Sequence, residues 1–144
     1  MMERREAEAV LGRLHQAQNR FHAGGGDEEL REVLAPDVLW SVPGRNAIAG
    51  RYEGVAEVLA YFRRRRELAA ATFRLHPREM MVGDGDHVAV LTDGTAKIAG
   101  GERRWSTVGL YRLGEGRVRE CHLLPLDPDA FDRIWSAPPG SRER

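Results

Sequence analysis

Residues 34–50, LAPDVLWSVPGRNAIAG, decide how the rest of the chain is read. Val38, Trp40 and Val42 alternate with Leu39 and Ser41, the period-two pattern of a strand with one face toward a core. Pro36 stands before the strand and stops the preceding helix. Pro43-Gly44 opens a turn, and the loop runs from Pro43 to Arg51. A helix follows over 54–71, with Val55, Leu59 and Phe62 on one side. The arginines at 63–66 fall near its C-terminal end, where positive charge suits the helix dipole. They read as a solvated helix end, partly neutralised by Glu57 and Glu67.

Upstream, Val10, Leu14, Ala17 and Phe21 recur at helical spacing and predict a first helix over Glu3–His22. Gly24-Gly25-Gly26 ends it. Asp27 is placed to cap a short second helix that buries Leu30, Val33 and Leu34. Downstream the pattern changes to strands: 72–81 with a kink at Pro77, 87–98, 103–113 and 117–124. The turns between them are glycine-rich, which predicts an antiparallel meander. Asp127 and Pro128 then start a short terminal helix. Residues 137–144, APPGSRER, read as a disordered tail behind a single domain spanning 1–136. The fold class is α+β, with helices covering one face of a curved, mostly antiparallel sheet.

With 144 residues, 42% of them hydrophobic, the chain has the length and apolar content of one domain with one core. Lys+Arg and Asp+Glu are balanced at 22 each, which argues against a nucleic-acid binder. Cys121 is the single cysteine, so neither an internal disulfide nor a cysteine-rich zinc site is expected. The five histidines show no helical pair with a carboxylate that would hold a metal. No HExxH, P-loop or dinucleotide fingerprint is present, and no cofactor is expected. No apolar run approaches a membrane span, and a soluble cytoplasmic protein is the expectation.

Taken in order, PDVLWSVPG (36–44), AGRYEGVAEVLAYF (49–62), HVAVLTDGTA (87–96), YRLGEGRVRE (111–120) and DPDAFDRIWS (127–136) resemble the NTF2-like superfamily. The likeness is closest to its SnoaL-like and ketosteroid-isomerase-like members. That resemblance implies a cone-shaped sheet wrapped by helices around an apolar cavity, and a homodimer formed through the outer sheet face. It also implies a pocket for a small apolar or aromatic molecule. Family members include isomerases, polyketide cyclases, epoxide hydrolases, dehydratases and non-catalytic binders, and fold alone does not choose among them.

Position by position, the chemistry departs from that pattern. Val42 stands where the isomerases carry their general-base aspartate, and Gly109 where they carry an acidic oxyanion donor. Neither Ala17 nor Gln18 supplies their tyrosine. The acid that the cyclases place late in the last strand falls at Leu123. Two groups remain as acid–base candidates. Asp93 interrupts the apolar run AVLTDGTA: in a pocket its carboxyl acquires a raised pKa, and at a rim or edge position beside a Gly94 bulge it is satisfied by an arginine. His122 sits between Cys121 and Leu123 and titrates near neutrality. Strand parity sends it either into the cavity or, if Cys121 and Leu123 line the cavity, outward. Trp40, Val42, Trp105, Thr107, Gly109, Tyr111 and Leu123 are the expected ligand pocket, its aromatic rings suited to a flat apolar ligand. Arg45 and Asn46 lie in the loop at the expected mouth. An accessory enzyme of cyclase, isomerase or dehydratase type and a non-catalytic binding or interaction protein both fit these features.

Overall fold

The computed structural model describes residues 3–136. The expected tail lies outside the described residues. Helix α1 spans Arg4–His22, and its apolar stripe is buried from Ala7 through Phe21. Gly24 ends it with a φ of +108°, and the Gly25 N–H returns to the Arg20 carbonyl at 2.8 Å. Helix α2 is Glu28–Val33. Asp27 makes no side-chain cap there; its carboxylate pairs with Arg31 at 3.2 Å instead.

The chain passes from α2 straight into strand β1, Leu34–Val42. Pro36 therefore lies inside a strand rather than ending a helix. The register to its neighbour shifts between Leu34 and Leu39, so the ladder is already interrupted where proline lacks a donor. Val38, Trp40 and Val42 are all buried, as their alternation predicts. Part of the expected loop forms a further strand, β2, Gly50–Glu53, which pairs antiparallel with β1. Gly54, at a φ of +87°, then leads into helix α3, Val55–Leu68. This helix ends earlier than its apolar pattern predicts, because Ala70 and Ala71 both take positive φ.

Strands β3 (Arg74–Val82), β4 (His87–Ile98), β5 (Gly101–Gly114) and β6 (Arg117–Pro125) form the expected meander. The β3–β4 register shifts between Pro77 and Glu79, at the expected kink. Helix α4, Pro128–Ser136, closes the described chain, with the Ala130 N–H donating to Asp127 Oδ1 at 3.1 Å. The six strands run in the order β2-β1-β6-β5-β4-β3, and β1 and β6 are parallel. That pairing joins the strand after α2 to the last strand of the meander, so one six-stranded sheet backs one core. Val88, Val90, Thr92, Gly94, Ala96 and Ile98 of β4 face that core, while the residues alternating with them face outward.

Candidate functional site

On the concave side of the sheet lies a partly enclosed cavity of about 30 Å³. That space holds one or two water molecules. Six of the seven expected pocket residues line it: Trp40, Trp105, Thr107, Gly109, Tyr111 and Leu123. Val42 is buried but belongs to the packed core beside the cavity. Gly109 does leave a gap, but Tyr111 fills it. A Cβ at Gly109 would sit 2.7 Å from a Tyr111 ring carbon.

Helix α4 plugs one wall of the cavity with Phe131 and Trp135, one turn apart and both buried. Trp135 meets Trp105 edge-to-face at 5.3 Å between ring centres. The helix is fastened to the loop after β1. Asn46 Nδ2 and the Arg45 N–H donate to Asp132 Oδ1 at 2.7 and 3.1 Å, and the Ala47 N–H donates to the Trp135 carbonyl at 3.0 Å. Arg45 and Asn46 therefore anchor this helix, and neither lines the cavity.

Two helices supply the polar wall. His15 and Gln18 of α1 are three residues apart on one helical face, and His22 follows a turn later on that side. The His15 and His22 Nδ1–H groups each donate to the carbonyl four residues back, Leu11 and Gln18, both at 2.7 Å. That fixes both rings with Nε2 as an acceptor. Burial lowers the His15 pKa to about 4. Burial and the Arg65 charge lower that of His22 to about 2. Both rings are neutral at pH 7.

Arg65 of α3 completes this group and corrects the view of a solvated arginine run. It is only 3% exposed, while Arg63 and Arg64 are in solvent. Its guanidinium donates to Tyr61 Oη at 2.8 Å, Gln18 Oε1 at 2.7 Å and His22 Nε2 at 3.1 Å. It also lies over the Phe73, Phe62 and Tyr61 rings at 4.2, 4.8 and 4.9 Å. Burial raises the Tyr61 hydroxyl to about 12, so that partner is neutral too.

Asp93 and His122 lie elsewhere. Gly94 turns inward, so Asp93 faces the outer side of the sheet. There it accepts from Ser106 Oγ at 2.6 Å and Arg78 Nη1 at 3.2 Å. These bonds, Ser106 first, hold its pKa below the usual carboxylate value rather than above it. For His122, the outward parity holds, because Leu123 lines the cavity and Cys121 is buried. His122 Nε2 donates to Glu120 Oε1 at 3.2 Å, and its Nδ1 accepts from the Ser41 hydroxyl at 2.7 Å. Glu120 is also bonded to Arg112, so this chain of contacts ties β1, β6 and β5 on the outer face. The structure does not bring Asp93 and His122 together, nor either of them to the cavity.

Sequence reasoning passed over His15, Gln18 and Arg65. A signal was present: each interrupts an apolar helical stripe, His15 and Gln18 between Leu14 and Phe21, and Arg65 one turn beyond Phe62. Among the described residues, no group of His, Cys, Asp or Glu is arranged to hold a metal ion, and no helix is long and apolar enough to cross a membrane.

Comparison with known proteins agrees with this architecture. The SnoaL-like domain family matches residues 13–121, and the chain belongs to it. An uncharacterised protein of Mycobacterium tuberculosis is 27% identical over 114 residues, covering 79% of this chain and 87% of the relative. Among solved structures, Bal32a from a soil-derived mobile gene cassette superposes with a TM-score of 0.79 at 25% identity, covering 90% of this chain and 98% of its own. TerC, co-crystallised with polyporic acid, superposes with a TM-score of 0.71 at 19% identity, covering 88% and 97%.

Proposed function

We propose that this protein binds a small flat, apolar or aromatic molecule in the cavity and carries out a proton-transfer step on it. The reaction type is cyclisation, isomerisation or dehydration of a polyketide-like metabolite in the cytoplasm. The observation that carries this is the convergence of His15, Gln18 and Arg65 on one wall of an otherwise aromatic cavity. Among the described residues no group donates to the His15 Nε2 lone pair, and burial keeps the ring neutral at pH 7, the form that can accept a proton. A hydrogen next to a carbonyl is the kind of proton such a base removes. The 30 Å³ space holds only water, so binding of a ring requires Phe131 and Trp135 to move aside with α4.

A second reading, ligand binding without turnover, draws support from the lining itself, which contains no carboxylate. A second copy of the chain completes the proposal. Leu110 and Leu124 stand 37% and 49% exposed on the outer sheet face, where the resemblance places a dimer contact.

Trp40, Trp105 and Trp135 all line the cavity, so intrinsic fluorescence reports its occupation. A panel of flat aromatic ketones and acids is expected to quench emission saturably. Loss of turnover with retained binding in His15→Ala supports an enzyme. Unchanged turnover removes His15 as the base, and no quenching by any compound overturns the cavity as the binding site.

A further inference from the structure

Arg65 is a buried cation without a counter-ion. No Asp or Glu among the described residues pairs with it, and its hydrogen-bond partners, Tyr61, Gln18 and His22, are all neutral. A guanidinium carries five N–H groups. Three are used within the protein, which leaves one on each terminal nitrogen. The three aromatic rings beneath it offer partial negative charge and no acceptor.

Beside it, Gln18 is 1% exposed. Its Oε1 is taken by Arg65, which fixes the amide orientation. Its Nε2 is then a buried donor with no partner among the described residues. The Trp135 Nε1–H, on the same cavity, is also without one. Buried donors left unpaired are unusual in folded proteins and call for an occupant that accepts. Apart from the His15 Nε2 lone pair, the surplus at this corner is donors beside a positive charge, in a space whose lining holds no acid.

We infer that the Arg65–Gln18 corner is an anion subsite that recognises an acidic oxygen of an aromatic ligand, a carboxylate or an ionised enol or phenol. This rests on the proposal that the cavity is the ligand site, and it specifies the ligand's polar end. The planar guanidinium suits two oxygens of a carboxylate, and Gln18 Nε2 adds a neutral donor. The aromatic wall of Trp40, Phe73 and Trp105 takes the ring. An enolate formed during proton removal presents the same kind of oxygen, so the subsite also suits the proposed chemistry.

The test compares 2-naphthoate with its neutral counterpart 2-naphthamide, by calorimetry on the whole protein at pH 7. Wild type is expected to bind naphthoate at least tenfold more tightly. Arg65→Gln should abolish that preference while still binding naphthamide, and Arg65→Lys should restore part of it. If Arg65→Gln does not fold, the Gln18 side-chain amide resonance in wild type takes its place. It is expected to shift with naphthoate and not with naphthamide. Equal affinities, a preference that survives Arg65→Gln, or an unmoved Gln18 amide under naphthoate would overturn the anion subsite and leave the cavity standing. Binding of neither compound, with outer-face residues unperturbed, would overturn both.

Discussion

Acid should unfold this protein through two histidines well before its carboxylates titrate. His15 and His22 are buried as neutral rings with pKa values of about 4 and about 2, against 6.5 when unfolded. The unfolded chain therefore binds protons that the folded one refuses, and stability is lost as pH falls below 6.5. Each shifted unit is about 1.36 kcal/mol. Between pH 7 and pH 5 the unfolded rings become almost fully protonated while the folded rings stay neutral. Each site then removes about 2 kcal/mol, and the pair about 4 kcal/mol. Asp93 and Glu120 have lowered pKa values, and their unfolded references of 3.8 and 4.5 put most of their effect below this window. His22 carries a further penalty in geometry: its Nε2 accepts from Arg65, and a proton there would set N–H against N–H. The assay is urea unfolding at pH 7 and pH 5. His22→Gln should lose about half of the pH dependence, whatever its absolute stability. A wild-type stability constant to within about 1 kcal/mol across that window, or a variant with the full wild-type slope, would refute the reasoning.

Three further outcomes follow from the packing. Gly94→Ala places a methyl against the Trp105 indole, which lies flat on that glycine, and should cost roughly 1–3 kcal/mol in urea unfolding. Asp132→Ala removes the acceptor that holds Arg45 and Asn46 to α4. It should destabilise by roughly 1–3 kcal/mol and speed amide exchange in α4 ahead of the sheet. Leu110→Asp puts a charge in the middle of the outer sheet face and should convert the proposed wild-type dimer to a monomer by light scattering. A monomeric wild type would rule out the dimer instead.

The periodicity of the chain located nearly every element because each buries a regular face. β4 came out over its expected residues, and the meander turns fell on their glycines. β2 was not legible, since Gly50–Glu53 has no alternation of its own and becomes a strand only by pairing with β1. Pro36 misled for a similar reason: its tolerance depends on a register shift against β6, a partner more than eighty residues away. Strand parity in β5 was legible: Trp105, Thr107, Gly109 and Tyr111 share the inward face. The polar wall was not, because four consecutive arginines look alike in sequence. Only the packing of α3 against α1 singles out Arg65 from its neighbours. Asp93 drew attention as a polar break in an apolar run. Alternation places it on the outer face, between inward-facing Thr92 and Gly94.

The three indole N–H resonances give the most direct test of the account, because every tryptophan in the chain lines the cavity. In a ¹H–¹⁵N spectrum titrated with 2-naphthoate, all three should shift and saturate together. The side-chain resonances of Asp93 and His122, on the opposite face, should stay within the noise. Saturable shifts of the Asp93 and His122 side chains with unmoved indoles would contradict the account and move the ligand site to the outer sheet.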